Sequence, residues 1–136
     1  MKKVIDFLKK HHETTVATCS DNKPRASVVD YYMIDDAIII GTDPTSIKAH
    51  NLEHNKRISM AVYDMPCFVT IDGVVTKPTK DEIDGYTKVL FELHPDFKEM
   101  AEQGMMGEFI YYKIIIETAY YNDFSNGMAP TEIIKA

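Results

Sequence analysis

The sequence predicts a mainly β fold, a small antiparallel barrel of at least six strands with short helices beside it. Three observations lead there. Runs rich in β-branched and aromatic residues outnumber helical ones, and turn residues punctuate them at short intervals. The first three strands follow one another through tight turns, as in a meander. A sheet of that many strands in 136 residues removes its exposed edges by closing on itself.

Each element has a local reason. Val4, Phe7 and Leu8 recur at helical spacing between lysines and give a short amphipathic first helix. Thr14 to Cys19 reads as a strand, Ser20 to Pro24 as a turn, and Ala26 to Met33 as a second strand. Asp35-Asp36 turns the chain into Ala37–Gly41. A helix follows from Pro44 to about His54, with Asp43 as its cap, Pro44 in the first helical position, and Ile47 and Leu52 facing the core. Arg57 to Tyr63 and Cys67 to Thr76 are strands, the second carrying Asp72-Gly73 as a bulge or close backbone approach. Thr79 and Glu82 make a capping box for a helix reaching about Leu93. His94-Pro95 breaks it, Asp96 to Gln103 forms a short helix, and Phe109 to Tyr121 a long strand. The tail after Asp123 reads as loosely attached, with Phe124, Met128, Ile133 and Ile134 available to a partner. In the pairs Tyr31-Tyr32, Tyr111-Tyr112 and Tyr120-Tyr121, one ring points inward and the other outward. No repeat, low-complexity tract or linker divides the chain, so residues 1–136 read as a single domain.

The formal charge is −6, from 15 basic and 21 acidic residues. That argues against a duplex-DNA binder, which needs a basic face, and no nucleic-acid partner is expected. Cys19 and Cys67 are the only thiols and lack metal spacing, which fits a reduced, cytoplasmic setting. The N-terminal apolar run is too short for a signal peptide, and no stretch approaches a membrane span.

The segment Ile40-Gly-Thr-Asp-Pro-Thr-Ser-Ile-Lys48 is the most informative. A strand feeds straight into a helix start that carries Thr42, Ser46 and Lys48. Free N–H groups, hydroxyls and a lysine gathered there make a seat for a phosphate, or simply a capped surface helix. Elsewhere there is no G-x-G-x-x-G, P-loop or G-x-S-x-G. His50 and His54 lie four apart without a third metal ligand, and His11-His12 diverge, so no metal site is expected. Asp81, Glu82 and Asp84 match a helix dipole. Cys67 has no basic neighbour to activate it. An anion seat without an acid–base or nucleophile constellation makes sense if a cofactor carries the chemistry.

Four blocks in order resemble the FMN-binding split-barrel family, related to pyridoxamine 5′-phosphate oxidase. They are Thr18–Val29, Ile38–Leu52, Asn55–Val62 and Val69–Val75. The resemblance implies a six-stranded antiparallel split barrel with flanking short helices, and a homodimer with FMN at the subunit interface. It places Ser46 and Lys48 at the FMN phosphate, with Ile47 between them among the cofactor-binding residues, Thr42 at the phosphate and ribityl end, and Ser27, Val28 and Val29 along the cofactor. Residue 27 is an arginine in the oxidases proper, so the serine here weakens that contact. Phe68 stands where those oxidases carry a glutamine near the ring. The C-terminal tryptophan, arginine and histidine signature for pyridoxal phosphate is missing, and the chain has no tryptophan. The function implied is an FMN-binding oxidoreductase, in one form a NAD(P)H-dependent flavin reductase, with no side chain assigned as catalytic. The alternatives are a reductase using deazaflavin F420 and a non-enzymatic flavin- or haem-binding carrier or sensor.

Overall fold

The structure is a computed structural model and describes residues 1–136. Alternating burial in Glu13–Ser20 and Arg57–Asp64 marks β1 and β4 as half-buried strands. Between them lie β2 (Lys23–Ile34), β3 (Ala37–Thr42) and helix α2 (Ile47–His54), and α1 (Lys2–Leu8) precedes them all. After β4 come β5 (Cys67–Thr76), helices α3 (Lys80–Leu93) and α4 (Pro95–Glu102), then β6 (Ile110–Asp123) and β7 (Glu132–Lys135).

Every pairing is antiparallel, in the order β3-β2-β1-β4-β5-β6-β7, and a further pairing of β3 with β6 closes strands β1 to β6 into a six-stranded barrel. The long strand β6 makes closure possible. Along one edge it pairs first with β3, at Ile110–Ile114, and then with β7, at Thr118–Tyr121; β5 takes the other edge. The barrel is filled by Val16, Tyr31, Ile38, Ile40, Met60, Val69, Ile71 and Ile114, and α1 plugs it with Val4, Phe7 and Leu8. The Tyr31 hydroxyl donates to the Leu8 carbonyl at 2.8 Å and fixes that plug.

The capping box of α3 forms in both directions, between Thr79 and Glu82. The bulge falls at Asp72/Gly73. Several expectations need correction. The β1–β2 turn is only Asp21-Asn22, both at positive φ, so Pro24 lies inside β2; short polar side chains tolerate that conformation and keep the hairpin twist. The alternation expected of Tyr31-Tyr32 holds, with Tyr31 inside the barrel and Tyr32 outside it, but α3 covers the outer ring, which packs with Ile39, Tyr86 and Leu90. The tail is not loose. Residues Glu132–Lys135 add to β6 as a strand, and Asn122 donates to the Thr131 hydroxyl at 2.7 Å. An ion pair from Lys3 to Glu132 ties it to α1.

Candidate functional site

At the end of β3 the chain makes one polar turn before α2. Asp43 does not cap the helix. Its carboxylate accepts from the Thr45 amide and hydroxyl, each at 2.8 Å, which holds residues 43–46 in a turn. The helix therefore starts at Ile47, not Pro44, and Ser46 is the cap, accepting from the Ala49 N–H at 3.1 Å. That shift rotates Ile47 outward, where it is 55% exposed instead of in the core. Leu52 does reach the core.

The same turn brings three residues together. The Thr42 and Ser46 hydroxyls lie 3.3 Å apart, and the Lys48 ammonium donates to the Thr42 hydroxyl at 3.2 Å. Lys48 is only 7% exposed. Nine ion pairs form in the chain and none includes Lys48. Its cationic neighbour is Arg25, which likewise has no carboxylate. Burial, and secondarily the Arg25 charge, hold the Lys48 ammonium below its ordinary pKa. Arg25 is exposed to solvent, so Lys48 is the buried cation without an acid, a costly arrangement unless an anion meets it.

Sequence reasoning passed over Arg25. It sits on β2 opposite Thr18, whose hydroxyl accepts from Asn51 of α2 at 3.1 Å. Strand alternation carried the signal: residues 25 and 27 share a face. Arg25 therefore brings a guanidinium to the side on which the resemblance expects one at 27.

The remaining residues named from the sequence divide by that alternation. Ser27 and Val29 are half-buried, and Val29 packs against the barrel core. Val28 points to the opposite face and is 75% exposed. It belongs to a cross-strand row running through Thr15, Ala61, Thr70 and Tyr120 to Ile133. Phe68 stacks edge-on against Phe124, with ring centres 5.5 Å apart. His50 and His54 pack ring against ring at 4.7 Å, with the His54 Nδ1 bonded to the His50 carbonyl. His94 sits 3.2 Å from Asp30, far along β2 from Arg25. Burial raises the Cys67 thiol above its ordinary pKa, and no cation is among the groups that act on it.

A family model described as pyridoxamine 5′-phosphate oxidase matches residues 1–123. No curated protein matches the chain. Among solved structures, a conserved hypothetical protein from Mycobacterium tuberculosis superposes with a TM-score of 0.75 at 23% identity, over 90% of this chain and 83% of its own. A heme binding protein from Mycobacterium smegmatis gives 0.71 at 19% identity, over 92% of this chain and 53% of its own. A FAD-binding protein from Mesorhizobium loti gives 0.68 at 20% identity, over 87% and 88%. At such identities the likeness shows the fold.

Proposed function

The chain belongs to the pyridoxamine 5′-phosphate oxidase family, and from that premise we propose that it binds FMN as a homodimer and acts as a flavin-dependent oxidoreductase. The observation that carries the reading is Lys48, buried, in no ion pair and bonded to Thr42 beside the Ser46 hydroxyl. That charge pattern fits the dianionic end of FMN. Thr42 and Ser46 supply hydroxyls to the same phosphate, while the strand segment Ser27, Val28 and Val29 runs along the cofactor, with Ser27 and Val29 on one face and Val28 turned to the dimer face. Ile47 adds no charge and flanks the seat from outside. The bound flavin would supply the hydride and electron chemistry. The protein's part is to hold the phosphate, orient the ring and exclude water from it.

The dimer has support in the uncovered outer face of β2, β1, β4 and β5. No helix packs over the row from Val28 through Thr15, Ala61 and Thr70, and its side chains are small enough for close approach of a second copy. Sedimentation at micromolar protein should give twice the 15.5 kDa chain mass. A monomer that still holds FMN tightly would overturn the dimer.

A nicotinamide is expected to reduce the bound flavin without an essential side-chain acid or base. Stopped-flow reduction by NADH and NADPH should run at comparable rates in the native protein and in His50→Ala, His94→Ala and Cys67→Ala. A hundredfold drop in one of them, with FMN retained, would expose a catalytic group. No reduction by either nicotinamide would favour a carrier or sensor. That second reading has its own support, since the similar Mycobacterium smegmatis protein is described as heme binding. The absorption spectrum after loading with FMN, F420 or haem separates the cofactors. No helix is long and apolar enough to cross a membrane.

A further inference from the structure

A cavity of about 740 Å³ opens between the loop after β3, the end of β5, α3 and the start of β6. Its volume lies within the range of small-molecule sites. Ile83, Val75 and Phe109 give it apolar walls, and Tyr111 and Tyr112 add aromatic surface. Tyr112 is only 7% exposed, yet its hydroxyl takes no partner from the chain. Every fully enclosed side-chain polar atom of the chain does have a partner, so this hydroxyl keeps an opening through which a ligand or water can accept from it. Burial pushes the Tyr112 phenol upward, with Glu53 adding to it, so the group remains a donor at neutral pH.

At the rim stand Lys56 and Lys77, neither of which is in an ion pair, with Glu108 the one carboxylate among the lining residues. The cavity thus combines aromatic walls, a hydroxyl donor and two ammonium groups at its mouth. Neither Lys48 nor Arg25 lines it. We propose that this cavity is a second binding site, distinct from the phosphate seat, for a small aromatic anion. Its ring lies in the gap between Val75 and Ile110, on the face of β6 that carries Tyr112, its anionic head meets Lys56 and Lys77, and a polar ring substituent accepts from Tyr112.

The test uses 1-naphthoate, 1-naphthyl phosphate and the neutral 1-naphthalenemethanol, titrated into ¹⁵N-labelled protein with and without FMN. At least one of the two anions should bind saturably, about tenfold tighter than the neutral compound. Its amide shifts should cluster at residues 75–78 and 108–112. Which anion binds better tells whether the site prefers a carboxylate or a phosphate head. The Lys56→Gln, Lys77→Gln double variant should bring the anion down to the neutral compound's affinity and leave FMN affinity unchanged. Tyr112→Phe, which removes a hydroxyl that bonds nothing in the chain, should keep the fold. Equal binding of charged and neutral probes, or shifts located elsewhere, would overturn the proposal. So would displacement of the probe by FMN, because the cavity would then be part of the flavin site. If FMN itself fails to bind, the probe should still bind, so the two readings fail separately.

Discussion

A Lys48→Ala variant should bind FMN about thirtyfold more weakly than the native protein, while riboflavin affinity hardly changes. Lys48 reaches the Thr42 hydroxyl from a buried position and meets no carboxylate. Removing one charge-assisted contact to a phosphate costs about 2 kcal/mol, which corresponds to that loss. Riboflavin has no phosphate and is the control. Equal weakening of both ligands would end the phosphate assignment.

The same lysine fixes the direction of a pH effect. Its folded pKa is lowered from 10.5 by burial first and by Arg25 second. In the free protein the charged form is strained, so stability rises as pH climbs from the lowered value toward 10.5. FMN affinity should move the opposite way across that alkaline window, because the phosphate binds the protonated amine. Isothermal titration at stepped pH should show the decline in the native protein and a flat response in Lys48→Ala.

Gly73→Ala is the second large effect, and it concerns the fold. A Cβ at residue 73 would stand 2.1 Å from the backbone oxygen of Ile115. Main chain cannot step aside as a flexible side-chain tip can, so β5 and β6 must part at the bulge. The expected cost is about 3 kcal/mol or more, a large share of an ordinary domain's stability. Urea denaturation should show the midpoint falling accordingly. Gly104→Ala is the comparison: nothing lies within 4 Å of its Cβ position, and only its φ of +68° resists a side chain. That costs about 1 kcal/mol. A Gly73→Ala protein no weaker than Gly104→Ala would show that the sheet tolerates a side chain at the bulge.

The bulge at Gly73 was legible because a glycine weakens a β-rich run unless the backbone needs it there. The capping box of α3 and the bounds of β5 were legible for the same kind of local reason. The grouping of Thr42, Ser46 and Lys48 could also be read, since one turn and one helix start hold it together. What escaped the sequence depends on distant segments. Strand β7 is short and shows no period of its own; β6 alone makes it a strand. The cover over Tyr32 comes from Tyr86 and Leu90, far along the chain. The true start of α2 was hidden by a competition between Asp43 and Ser46, two good capping residues, which the turn at Thr45 decides. Arg25 escaped because its neighbour Lys48 is brought near by cross-strand register and helix packing together.

Closure of the barrel joins residue 38 to residue 114, so more than half the chain must be spanned before β3 and β6 meet. Pairings that distant form slowly, since the loop entropy is lost before the contacts repay it. Thr42 pairs with Ile110 at the end of that same ladder, so the polar turn acquires its final wall only when the ladder is complete. A ligand held there recognises finished molecules alone. It can slow their unfolding, but it has little to grip while they are still folding.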